Sequence, residues 1–119
     1  MSPGQIANVT LIIRNNTNFV WYSDDAKPAQ LIGGSVRLLM DSPYYRSSRF
    51  ANSLDPNWLG TSSQIKMATP SVAPGQTGEF DFTWKAPANT GQYQDKFTLV
   101  LDGYNFFPDI GMQYNTRVQ

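Results

Sequence analysis

Pro3-Gly4-Gln5-Ile6-Ala7-Asn8-Val9-Thr10-Leu11-Ile12-Ile13 and Pro74-Gly75-Gln76-Thr77-Gly78-Glu79-Phe80-Asp81-Phe82-Thr83-Trp84 carry the same message twice. Each is a Pro-Gly-Gln turn followed by alternation of apolar and polar residues. Val9, Leu11 and Ile13 share one face of the first run, opposite Asn8, Thr10 and Arg14. Phe80, Phe82 and Trp84 share one face of the second, opposite Glu79, Asp81, Thr83 and Lys85. A period of two sends side chains alternately to a core and to water, as in an antiparallel strand buried on one side. The fold class that follows is all-β.

Outward from these runs the chain keeps the same grammar. Phe19-Val20-Trp21-Tyr22 follows a polar turn at Asn15-Asn16-Thr17-Asn18, and Gln30 to Met40 reads as strand interrupted by Gly33-Gly34. Ile65, Met67 and Val72 mark a short strand leading to Pro74-Gly75, and Tyr93 to Leu101 resumes alternation with Phe97, Leu99 and Leu101 on one side. Asp102-Gly103, with β-prone residues on both sides, signals a hairpin on a type I′ turn. Tyr104 to Phe107 returns from it, and Met112, Tyr114, Thr116 and Val118 give a last alternating strand. Seven or eight short strands with regular turns and no amphipathic helix predict one Ig-like antiparallel β-sandwich over residues 1–119.

Composition narrows the function classes. The chain has 119 residues, 40% of them hydrophobic and only 15% charged, against a usual ~25%. Nine basic and nine acidic residues cancel, which leaves no cationic footprint for nucleic acid or anionic lipid. The absence of Cys and His removes disulfides, thiol nucleophiles, Cys/His zinc sites and Ser-His-Asp chemistry. No stretch approaches the ~20 apolar residues of a membrane span, so direct membrane insertion is not expected. Met1-Ser2 ahead of Pro3 reads as a start placed on a domain cut from a longer protein, whose signal or anchor would not be visible here.

Alternation assigns Val9, Leu11, Ile13, Trp21, Phe80, Phe82, Trp84, Tyr93, Phe97 and Leu99 to the core. The candidate binding residues come from the aperiodic stretch 41–64, since a loop longer than ~15 residues inside a small domain is usually functional or mobile. Tyr44, Tyr45, Arg46, Arg49 and Trp58 are the aromatic and guanidinium types enriched at protein contacts. Phe107 joins them from the cluster after the hairpin. Asp55 as N-cap and Pro56 at the first helical position suit a single helical turn carrying Trp58. The structural alternative folds Phe50, Leu54, Trp58 and Leu59 back as a lid. Asp24-Asp25 lacks calcium-loop spacing, and Glu79 and Asp81 lie on a solvent face. Neither a metal, a cofactor nor catalysis is expected.

The order of these pieces resembles a known family. Pro3-Gly4, a strand ending in Arg14-Asn15, and Trp21 six positions on are similar to the opening of the four-tryptophan (FW) Ig-like domains. Val72-Ala73-Pro74-Gly75-Gln76, Trp84-Lys85-Ala86-Pro87, Gly91-Gln92-Tyr93 and Phe97-Thr98-Leu99 match its second half in order and spacing. Asn105 to Gly111 resembles the ending of the bacterial branch, found in exported and cell-surface proteins. Two departures stand out: Phe97 replaces a frequent Trp, and residues 41–64 are longer than usual. The resemblance implies a non-catalytic module of a larger extracellular or cell-surface protein, serving as a spacer or an adhesion and protein-recognition domain. One alternative is a carbohydrate-binding module on a wall- or glycan-acting enzyme, with a glycan on the loop aromatics. Another is a self-assembling subunit, because an alternating strand with little ahead of it leaves an open sheet edge for oligomer formation.

Overall fold

A computed structural model describes residues 1–28, 34–41, 44, 47–59, 63–102, 105–107 and 112–119. Among them lie ten strands and no helix: β1 (Ile6–Arg14), β2 (Trp21–Tyr22), β3 (Val36–Asp41), β4 (Trp58–Leu59), β5 (Gln64–Lys66), β6 (Ser71–Val72), β7 (Thr77–Lys85), β8 (Gly91–Leu101), β9 (Asn105–Phe106) and β10 (Met112–Val118).

The two Pro-Gly-Gln strands are partners. β1 and β7 pair antiparallel from Ile6↔Lys85 to Arg14↔Thr77. Each is entered through the same turn. Gln5 N–H donates to the Ser2 carbonyl at 3.1 Å and Gln76 N–H to the Ala73 carbonyl at 3.0 Å. Gly4 and Gly75 adopt φ of 74° and 85°, the positive φ that a type II turn requires after its proline. The glutamine side chain locks both turns, accepting from Ser2 N–H at 2.9 Å and from Ala73 N–H at 3.3 Å. At one end Gly4 and Gln5 exchange backbone bonds with Ala86; at the other Gly75 and Gln76 exchange them with Asn15. Thr10 lies opposite Asp81, 71 positions on, and its hydroxyl donates to the Asp81 carboxylate at 2.8 Å. That separation equals the repeat offset (74 − 3 = 71), so a local two-fold axis passes through this pair and carries each strand onto the other.

The second layer is a larger antiparallel sheet in the order β10-β8-β3-β5-β4, with β9 also on β8. β3 is central, bonded to β8 on one side and β5 on the other, and Val36, Leu38, Leu39 and Met40 are all buried. Such a two-sided strand loses the polar/apolar alternation of a half-exposed one. A two-stranded piece, β2-β6, joins Trp21 to Val72. Ile13, Phe80, Phe82 and Trp84 of the β1-β7 ribbon share one core with Leu38, Met40, Ile65, Phe97 and Leu99 of the large sheet. Trp21 is fully buried there, while Val9, Leu11 and Tyr93 pack against it partly buried.

Several expectations are corrected. Phe19 and Val20 are exposed and precede β2 rather than belonging to it. Gln30 to Gly33 of the strand read there lie outside the described residues; its described part is β3. Gly103 and Tyr104 of the expected hairpin turn lie outside the described residues; β8 and β9 on either side pair through Val100↔Phe106 and Leu101↔Asn105. The 41–64 stretch is not a free loop, for it supplies β4 and the start of β5. Asp55-Pro56 starts a single hydrogen-bonded turn, with Trp58 N–H donating to the Asp55 carbonyl at 3.2 Å, and the chain then continues as strand rather than helix. The Asp55 carboxylate accepts from Asn57 N–H at 2.9 Å and reaches across to β7, taking Thr83 N–H at 2.7 Å and its hydroxyl at 2.8 Å. Trp58 and Leu59 then run extended against β5.

Candidate functional site

The sequence-derived binding residues do not converge. Tyr45 and Arg46 lie outside the described residues. Tyr44 is 50% exposed beyond β3. Trp58 is corrected from contact residue to core residue: it is 8% exposed, and its indole N–H donates to the Thr83 carbonyl at 2.9 Å. Its ring meets Phe82 edge-on at 5.6 Å and Trp84 at 6.3 Å. Phe50 is fully buried and stacks on Trp84 at 4.7 Å, as the lid reading expects, whereas Leu54 is 88% exposed and covers nothing. Arg49 places its guanidinium over the Tyr93 ring at 4.7 Å, a cation–π contact that holds this loop on β8. Phe107 is half-buried against Trp21 at 5.5 Å and Phe19 at 6.1 Å.

Among the described residues, charged groups tie loops down. Arg37 of β3 donates through Nε to both Asp24 oxygens at 3.1 Å and through Nη1 to Gln64 at 3.0 Å. It also pairs with Asp102 at 3.2 Å, and Ser35 donates to Asp24 at 2.9 Å. Burial pushes the Asp24 carboxyl upward, but the Arg37 and Ser35 hydrogen bonds and the Arg37 charge outweigh it, and the net shift is downward. Asp55 follows the same logic: burial raises it, and bonds from Asn57 and Thr83 carry it below the ordinary aspartate value. Glu79 is raised by the hydrogen bond and charge of Asp81 beside it on the outer ribbon face. Asp25 pairs with Lys66 at 3.1 Å. Among the described residues no three acidic side chains gather as a metal would need.

What the structure does bring together is a groove that sequence reasoning missed. Among the described strands, β1 is paired along one side only, by β7, and β10 along one side only, by β8. Between their free edges lies a hollow of about 540 Å³ lined by Leu11, Ile13, Trp21, Leu99, Met112 and Tyr114, with Arg14 at its rim. A second hollow of about 200 Å³ shares Leu11 and Tyr114 and reaches down to Phe82, Trp84 and Phe97. Tyr114 stands between them, 39% exposed, its ring 5.8 Å from that of Phe97. The alternation through Met112, Tyr114, Thr116 and Val118 was legible as a strand. Nothing local to those residues says that the strand is an edge, or that its neighbour across the gap is β1.

Strands and groove together define an all-β protein of antiparallel sheets with an apolar channel open along two strand edges. Comparison with protein-family models finds no match, and none is found among curated proteins or solved structures. No helix among the described residues is long and apolar enough to cross a membrane.

Proposed function

We propose that this chain is a non-catalytic Ig-like β-sandwich module of a larger exported or cell-surface protein, and that it recognises protein through the groove between β1 and β10. The observation that carries the reading is the groove itself, an apolar channel over core aromatics, in a domain where Arg37, Asp24, Asp25, Lys66 and Asp55 are engaged in holding loops. Exposed apolar hollows rimmed by polar residues mark interaction sites. Strand connectivity supports the Ig-like part: β1 with β7, facing β10-β8-β3-β5, has the neighbour relations of strands B-E and G-F-C-C′. So does Tyr93, near the start of β8, whose hydroxyl donates back to the Asn89 carbonyl at 2.8 Å in the manner of a tyrosine corner. The resemblance to FW domains agrees with both.

The carbohydrate-binding alternative loses its largest stacking platform with the burial of Trp58, and retains exposed Tyr44 and Tyr114. Affinity electrophoresis through gels containing xylan, cellulose derivatives, chitin or peptidoglycan fragments separates the two. Unretarded migration in every gel is expected. Retardation that disappears in Tyr44→Ala or Tyr114→Ala would replace protein recognition by glycan binding.

A further inference from the structure

Where β7 ends, three segments enclose a hollow of about 520 Å³ that shares no lining residue with the groove. Lys85 closes the strand opposite Ile6, and its N–H donates to the Phe50 carbonyl at 2.7 Å. Ala51 bridges Trp84 beside it, which seats the loop carrying Arg49 against the strand end. On the other flank Gly4 N–H donates to the Ala86 carbonyl at 3.1 Å, and Ala86 N–H to the Gln5 carbonyl at 2.8 Å. Backbone bonds therefore hold all three walls in place. Arg49 and Lys85 line the hollow, and both are exposed. The Arg49 guanidinium lies 4.7 Å over the Tyr93 ring, which is pinned in turn by its hydroxyl bond to the Asn89 carbonyl and an edge contact with Phe50 at 5.3 Å. Guanidinium donors lie in the plane of the group, so stacking orients them without using them. Among the described residues nothing accepts from them, and nothing pairs with the Lys85 ammonium. No carboxylate lines the hollow, and Asp24, Asp25, Asp41 and Asp55 are taken by Arg37, Lys66, Lys96 and Thr83.

From this geometry we infer that the hollow binds an organic carboxylate, its anionic group between Arg49 and Lys85 and its apolar body over Ala51, Ala86 and Pro87. A planar carboxylate accepts two parallel bonds from a guanidinium fork, and the ammonium adds a second positive charge. The Ala and Pro side chains of the floor carry no donors, and Pro87 has no N–H. They suit hydrocarbon, and they offer nothing to the further oxygens of a phosphate. Because Tyr93 already holds the guanidinium and backbone bonds already hold the walls, little has to be ordered on binding. A free acid and a glutamate side chain beside an apolar residue present this same chemistry, and the test separates the two sources. The site goes beyond the groove reading and does not depend on it.

The free-acid probe is 3-phenylpropionate, and the polypeptide probe is the blocked dipeptide acetyl-Glu-Phe-amide. Each is titrated into the protein at low ionic strength while NMR follows Arg49 Nε–H and the Ala51 and Ala88 amides. Saturable shifts with a dissociation constant of about 1 mM are expected from at least one probe, and the tighter of the two names the source. 3-Phenylpropanol keeps the body without the charge, and inorganic phosphate keeps the charge without the body. Both are expected to bind about tenfold more weakly. Lys85→Gln is expected to weaken binding about fivefold at unchanged melting temperature. Arg49→Lys keeps the charge but loses the stacked fork, and is expected to weaken it about tenfold. Should that variant melt low, Ala88→Leu fills the hollow from an exposed position, leaves both cations in place, and is expected to abolish binding. Failure of both probes to saturate, equal binding of the alcohol or of phosphate, or unchanged affinity in Lys85→Gln and Ala88→Leu would overturn the inference. None of these outcomes bears on the groove, so the protein-recognition reading stands or falls separately.

Discussion

Asn15 is fully buried, and its side chain makes four hydrogen bonds. Its Nδ2 donates to the Phe19 carbonyl at 2.9 Å and to the Val72 carbonyl at 3.0 Å, while its Oδ1 accepts from Thr17 N–H and hydroxyl. Asn15→Ala removes the amide donor from the buried Val72 carbonyl and one of two donors, the other being the Thr17 hydroxyl, from the Phe19 carbonyl; it is expected to cost about 1–3 kcal/mol, read as a lowered urea midpoint at unchanged slope. The sequence marked this residue only as part of a polar turn. Its burial was not legible because Val72, one of the two acceptors, is 57 residues away. Trp58 escaped for the same reason: aromatic type suggested a contact surface, and only the distant Thr83 carbonyl shows where its N–H goes. Asp24 and Asp55 carry the acid response. Both are held below their ordinary value, so the folded chain binds fewer protons than the unfolded one at acid pH. Their contribution is complete above the unfolded value near ~3.9 and disappears as pH falls through the folded values. Melting temperature is thus expected to hold from neutrality to about pH 5 and to drop below about pH 4. Asp24→Asn should lower the neutral value and flatten the acid drop.

At the scale of elements, the repeated turns show how far a local pattern reaches. Period-two alternation correctly assigned inward and outward faces to β1 and β7, because the face depends only on residue parity. It could not say that the two strands pair with each other, since register is set by contacts across 71 positions. Gly33-Gly34 reads in the sequence as a mere interruption of a strand, yet Gly34 sits where any Cβ would overlap the Asp102 backbone carbonyl. Gly34→Ala therefore forces backbone to move and is expected to cost about 3 kcal/mol. Gly75→Ala meets only the Arg14 guanidinium, at 4.0 Å, but must hold φ of 85°, a strain of about 1 kcal/mol. Chemical denaturation of the two variants should rank them in that order; the reverse ranking would mean that the close approach of Gly34 to Asp102 relaxes at little cost.

For the whole molecule, the aromatic residues form one connected core running from Tyr93 through Phe50 and Trp84 to Phe97 and Tyr114. All three tryptophans, Trp21, Trp58 and Trp84, are buried in it. Intrinsic fluorescence is accordingly expected to be blue-shifted and poorly quenched by iodide, with no exposed fraction until unfolding. A quenchable component lost in Trp58→Phe would return that residue to the surface. The same architecture has a consequence in time. Among the described strands β7 is the one ladder partner of β1, and Thr10 waits for Asp81 to be synthesised 71 residues later. At ribosomal rates of 5–20 residues per second that interval is roughly 4–14 s. Throughout it the strand with Val9, Leu11 and Ile13 on one face has no lasting mate, and any other unpaired strand in the vicinity competes for it. Of the ten described strands, the earliest made waits while five others are synthesised before its partner.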